Sequence, residues 1–125
     1  MSKGGFPFAS ADFIPTLMKG FEEDFLFKYT PCDFASEADI IYALGVVHVE
    51  LIIIHPFREG NGRTARLLTE LMALQSGLLL LDFSKINQIS NPKGYNEYIT
   101  SIHAAFDRNY KPIQHLFGCL IKKIN

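Results

Sequence analysis

Cysteine is scarce in this chain: Cys32 and Cys119 are the only two among 125 residues. Two are too few for a disulfide framework, and they lack metal-ligand spacing. Both read as small core hydrophobes suited to a reducing compartment. Charge of one sign is lacking too. Twelve Lys and Arg stand against thirteen Asp and Glu, a net charge of −1. That leaves no general field for gripping nucleic acid or anionic lipid, and neither is expected as a partner. The N-terminus has no basic stretch followed by an apolar one, which argues against a secretion signal and makes cytoplasmic residence the expectation. The longest apolar run, Ile40 to Phe57, carries Gly45, His48 and Glu50 inside it, so it reads as a buried central helix rather than a membrane span. The chain also lacks internal repeats, linkers, the Gly-x4-Gly-Lys-Ser/Thr order of a P-loop and a His-Glu-x-x-His zinc pattern.

What is present is apolar and helical. Hydrophobic residues make up 48% of the chain, with 11 Phe and 5 Tyr, enough to build a continuous core over a single domain, 1–125. Periodicity predicts a compact all-α bundle. A first helix carries Phe13, Leu17, Met18, Phe21 and Phe25 on one face, with Lys19, Glu22 and Glu23 opposite. Ser36 and Asp39 offer a cap for a second helix, Glu37 to Ile54, apolar almost all round. His55-Pro56 ends it, because the residue before proline is pushed out of the α region. A third helix is expected from Arg63 to Ser76, with Ala65, Leu68, Leu71 and Met72 inward and Gly77 as its stop. Asn91-Pro92 opens a fourth, with Tyr95, Ile99, Ile102 and Phe106 inward. Pro112 opens the last, whose stripe is Ile113, Leu116, Phe117, Leu120, Ile121 and Ile124, with Lys122 and Lys123 complementing its C-terminal dipole. Residues 1–9 are the exception: Gly4, Gly5, Phe6, Pro7 and Phe8 favour an extended segment, a short N-terminal β-flap, or else a frayed terminus.

The chemistry is concentrated between His55 and Arg66. Gly60 and Gly62 let backbone N–H groups converge, and the helix that starts there adds its positive end, which makes an anion cradle. Arg63 and Arg66, three residues apart on one helical face, can add bidentate contacts to a polyphosphate. A hard carboxylate beside such a cradle, Glu59, is suited to Mg²⁺. His55, with an ordinary pKa near ~6.5, can accept a proton as a neutral imidazole. Phe57 is expected to turn inward and pin the loop. Each feature also has a plain structural reading: a histidine ending a helix, a common Gly-Asn-Gly turn, and arginines paired with Glu59 and Glu70 on a solvated face.

This stretch resembles the Fic motif, His-x-Phe-x-(Asp/Glu)-Gly-Asn-Gly-Arg-x-x-Arg, at every fixed position, and the helices around it are similar to the Fic core over most of the chain. The resemblance implies a protein adenylyltransferase that moves AMP from ATP, its co-substrate, to a Ser, Thr or Tyr hydroxyl of a target protein and releases pyrophosphate. It implies His55 as the base toward that hydroxyl and Glu59 as the Mg²⁺ ligand. Gly60, Asn61 and Gly62 become the anion hole, with Arg63 and Arg66 on the outer phosphates. The flap, Gly4 to Phe8, would align the target as an added strand, and Tyr95 and Tyr98 would line the adenine pocket or else belong to the core.

Two departures carry further expectations. The helix and strand that usually precede the flap in the family would fall before Met1, as in a minimal member or a piece of a longer protein. No (Ser/Thr)-x-x-x-Glu-(Gly/Asn) segment is found to pair with Arg66. The inhibitory glutamate is therefore expected on a small antitoxin-like partner, outside this chain, or nowhere, in a toxin–antitoxin arrangement or in an effector delivered into a host cell. The alternatives are a Doc-like kinase, against which Gly62 argues because that subfamily places lysine there, transfer of another nucleotide or phosphate-linked group, and a catalytically silent docking module. AMP removal is disfavoured without the inhibitory glutamate. His48, seven residues before His55, reads as a packed core histidine rather than a metal partner. His103 and His115 read as structural or exposed, Arg58 as solvent-facing, and Glu50, if buried, needs a polar partner.

Overall fold

A computed structural model describes residues 2–3, 6–7, 11–55, 60–77 and 79–123. The fold is all-α, as its composition and periodicity demand, with two short two-stranded pieces at its margins. Strands β1 (Ser2–Lys3) and β2 (Phe6–Pro7) pair antiparallel, Ser2 opposite Pro7 and Lys3 opposite Phe6. Of the segment expected to be extended, Phe6 and Pro7 thus lie in a paired strand; Gly4, Gly5 and Phe8 lie outside the described residues. A helical run follows. It starts as a 3-10 turn (Ala11–Phe13), continues as α1 (Ile14–Phe21), passes through a π-helical stretch (Glu22–Leu26) and ends as α2 (Phe27–Tyr29).

The centre of the molecule is α3 (Glu37–Ile54). Ser36 caps it, its Oγ accepting the Asp39 N–H at 3.0 Å, an arrangement worth about 1 kcal/mol. From Ala43 to Ile52 every residue of α3 is buried, Gly45, His48 and Glu50 among them. An apolar surface all round can be satisfied only by neighbours all round, and α1, α4, α5 and α6 supply them. Helix α4 (Asn61–Gln75) lies against α3 and ends as expected at Gly77, whose φ of +79° is the left-handed conformation that glycine adopts without penalty. Strand β3 (Leu79–Leu81) and a 3-10 turn (Phe83–Ile86) lead to α5 (Pro92–Ala105), where Asn91 Oδ1 accepts the Gly94 N–H at 3.1 Å. Helix α6 (Lys111–Leu120) buries Ile113, Leu116, Phe117 and Leu120 against α3 and α5.

Several expectations need correction. Helix α6 stops at Leu120, and Ile121–Lys123 form β4, paired antiparallel with β3; Lys122 and Lys123 therefore lie in a strand, not on a helix end. Ile124 lies outside the described residues. Phe13 is 64% exposed, and Leu17 and Phe106 stand at the edges of a groove rather than in the core. Leu71 faces outward with Leu67 and Leu74, each more than half exposed, so the inward face of α4 is Ala65, Leu68, Thr69 and Met72. Cys32 is fully buried and burial pushes its thiol up to about 11, but Cys119 is exposed. Among the described residues no helix is long and apolar enough to cross a membrane.

Candidate active site

His55 is the C-cap of α3. Its N–H donates to the Leu51 carbonyl at 3.1 Å, and its backbone adopts φ +53°, ψ +58°, the left-handed region. A histidine pays a steric penalty there that glycine does not, but the turn stops α3 sharply and leaves the imidazole half-buried at the end of the central helix. Gly60 then serves as the N-cap of α4 with φ +83°, and its carbonyl accepts the Thr64 N–H at 2.9 Å. Asn61 is buried, whereas Gly62 is partly open. The first N–H groups of an α-helix have no intrahelical acceptor, so this helix start presents donors and a positive dipole end together.

Both motif arginines fold back over the glycines. A Cβ at Gly60 would stand 3.5 Å from Arg63 Nη2, and one at Gly62 would stand 3.1 Å from Arg66 Nη1. The contact at 62 is tight, so the Arg66 guanidinium crowds any side chain there, whereas the one at 60 is ordinary packing distance. Among the described residues neither arginine forms a salt bridge, so the pairing with Glu70 is not made. Two guanidinium groups beside a helix N-terminus are chemistry suited to a polyanion. Phe57, Arg58 and Glu59 lie outside the described residues. Among the described ones no three His, Cys, Asp or Glu side chains cluster as a metal site.

Tyr95 and Tyr98 stand on α5 with ring centroids 6.3 Å apart. Tyr95 is half-buried against the core. Tyr98 is buried, and its hydroxyl lies 2.7 Å from His48 Nε2. His48 is fully enclosed, as expected of a core histidine, and burial pushes its pKa down to about 3; the Ala65 carbonyl opposes that shift and the Arg66 charge adds to it. Glu50 finds its polar partners in Arg108, whose Nη1 donates at 2.9 Å, and in the Tyr110 hydroxyl. The sequence offered no means to name those partners, which lie 50 to 60 residues away in the chain. His103 and His115 are exposed.

A groove of about 400 Å³ between α1 and α3, lined by Leu17, Phe21, Phe25, Ile53 and Phe106 among others, reaches Ile54, the residue before His55. A larger groove, about 800 Å³, runs between α5 and α6 past Lys93, Glu97 and His115. It contains no residue between His55 and Arg66.

With this geometry in place, the likeness to known proteins is specific. A model of the Fic/DOC family matches residues 1–73, and the chain belongs to that family. Over 64 residues, 51% of the chain, it is 41% identical to a protein adenylyltransferase of Bartonella henselae, and over 39 residues it is 49% identical to the protein adenylyltransferase fic-1 of Caenorhabditis elegans. These stretches amount to 10% and 8% of the two relatives' lengths. The whole chain superposes on BepC, a VirB-translocated effector of Bartonella tribocorum crystallised with AMPPNP, with a TM-score of 0.77 at 26% identity. The N-terminal Fic domain of a Bep effector of Bartonella quintana, with bound ADP, gives the same TM-score and identity over 98% of the chain. The chain spans 57% and 55% of those two solved chains.

Proposed function

We propose that this protein is a protein adenylyltransferase that transfers AMP from ATP to a Ser, Thr or Tyr hydroxyl of a target protein and releases pyrophosphate. The observation that carries this reading is the pair of guanidinium groups laid over Gly60 and Gly62 at the start of α4, with the His55 imidazole at the adjoining end of α3. Family membership, relatives named as protein adenylyltransferases, and solved neighbours holding AMPPNP and ADP support it.

Neutral His55 accepts the proton of the target hydroxyl, and the oxygen attacks the α-phosphorus as the bond to the β-phosphate oxygen breaks. Backbone N–H groups of Gly60, Asn61 and Gly62, with the positive end of α4, stabilise the charge that develops on the phosphate oxygens. Arg63 and Arg66 hold the outer phosphates, which leave as pyrophosphate. Glu59 beside a phosphate cradle is the donor chemistry that Mg²⁺ takes, and the ion when bound would neutralise phosphate charge. The β1–β2 hairpin would present an edge to an extended target segment, with Gly4 to Phe8 as its lining. Half-buried Tyr95 would flank the adenine, whereas Tyr98, buried with its hydroxyl on His48, belongs to the core. An antitoxin-like protein would restrain Arg66, and delivery into a host cell is proposed on the likeness to the translocated Bep effectors.

The test is label transfer to proteins of a cell lysate from ATP labelled at the α or the γ phosphate, with His55→Ala as control. The reading expects label from the α position alone, lost in His55→Ala while ATP affinity stays within a few fold. Label from γ alone would make the protein a Doc-like kinase, and ATP binding without transfer would make it a docking module.

A further inference from the structure

We infer that His48 is a positioning residue for the phosphate cradle: its imidazole, fixed by the Tyr98 hydroxyl, steers α4 through the Ala65 carbonyl and so sets where Arg66 stands. The inference rests on the proposal that nucleotide binds at the start of α4.

His48 lies two helical turns before His55 on α3 and has no exposed surface. Its Nε2 is taken by Tyr98 Oη at 2.7 Å. Phe83 stacks on the ring at 6.2 Å between centroids and Phe117 tilts against it at 5.1 Å, so the imidazole is held by α5 and α6 while it faces α4. Its other nitrogen, Nδ1, is buried and closes no hydrogen bond among the described residues. The backbone group that acts on this ring is the Ala65 carbonyl, which already accepts the Thr69 hydroxyl at 2.8 Å. A carbonyl oxygen has two lone pairs, so a second donor can be accommodated. The tautomer this role requires is the one in which Nε2 accepts the Tyr98 O–H and Nδ1 carries the proton available to Ala65.

A buried donor left open is costly, and a small movement of α4 toward α3 closes it. Arg66 follows Ala65 directly, and the same movement carries its guanidinium, which lies against Gly62. Phosphate seated on the helix start acts on the same rigid element, so closing the His48 to Ala65 bond and gripping the nucleotide favour each other. Burial keeps the imidazole neutral, and it therefore adds no repulsion to the Arg66 charge.

The experiment is calorimetric binding of AMPPNP to the parent chain and to His48→Asn and His48→Gln. The Asn amide nitrogen superposes on Nδ1 and can still reach Ala65, whereas the Gln amide superposes on Nε2 and can reach only Tyr98. His48→Asn is expected to bind within about threefold of the parent and His48→Gln about tenfold more weakly, the worth of one hydrogen bond. A purely packing role predicts the opposite order, since Gln is closer to His in volume; equal affinities or that order overturn the inference. If both variants fail to fold, ¹⁵N spectra of the histidine rings in the parent decide it. An Nδ1–H signal that shifts and gains protection with AMPPNP supports the inference, and an Nε2–H tautomer or an unresponsive ring refutes it. A parent chain that binds no AMPPNP refutes the proposed function itself.

Discussion

His48 and Glu50 sit two residues apart on α3, both buried, and the fold treats their ionisation in different ways. Glu50 is raised by burial, while the Tyr110 hydroxyl and the Arg108 guanidinium favour its carboxylate. His48 is left neutral. As pH falls below about 6.5 the unfolded chain protonates this imidazole but the folded chain does not until about pH 3. The contribution of His48 to stability is therefore complete above that window and is lost downward through it. Glu50 acts oppositely, its contribution falling as pH rises from the unfolded carboxyl value toward the folded one. In urea titrations the stability advantage of the parent over His48→Gln should shrink from about pH 7 to about pH 4; Glu50 is common to both, so a constant advantage would mean that His48 protonates in the fold. Arg108 has a positive φ of 60°. Arg108→Ala loses the ion pair and keeps that strained backbone, whereas Arg108→Gly loses the ion pair and relieves it. Thermal melts should rank Gly above Ala by about 1 kcal/mol.

Helices pack where backbone can approach backbone, and α5 does so at Gly94. A Cβ there would overlap the Lys85 carbonyl oxygen of the 3-10 turn. Gly94→Ala must push α5 off that turn and should cost about 2–3 kcal/mol in chemical denaturation. Gly20→Ala, with nothing among the described residues within 4 Å of its new methyl and a helical backbone in α1, should instead stabilise by about 0.5–1 kcal/mol. The contrast was hidden in the sequence, where both glycines read alike. Helix α3 and its Ser36 cap were legible because an all-round apolar run and a capping oxygen are local signals. The family is legible in the same way, from a motif of twelve consecutive residues that lies within the stretch the family model matches. The β3–β4 pairing was not legible: Leu79–Leu81 find Ile121–Lys123 some forty residues later, and Ile121 continues the apolar stripe of α6 as if the helix went on. Nor could Leu68 be told from Leu67 and Leu71, since the type is identical and only the neighbours differ. His48 and Tyr98, fifty residues apart, meet only once α3 and α5 are packed.

Considered whole, the molecule is a set of helices gathered on α3, with the proposed nucleotide site at one end of that helix. Ligand binding at that end should stabilise the entire fold by mass action. AMPPNP with Mg²⁺ is expected to raise the melting temperature, and Glu59→Ala to lose the part of the rise that depends on Mg²⁺; a variant whose Mg²⁺ response matched the parent would remove Glu59 as the ligand. One further effect follows from the left-handed backbone at His55. Glycine there sheds the steric penalty and alanine does not, so His55→Gly should outlast His55→Ala by about 1 kcal/mol although neither can take up a proton. A chain with glycine at this position is therefore the sounder inactive reference for tracing a target, since it gives up the imidazole and none of the fold.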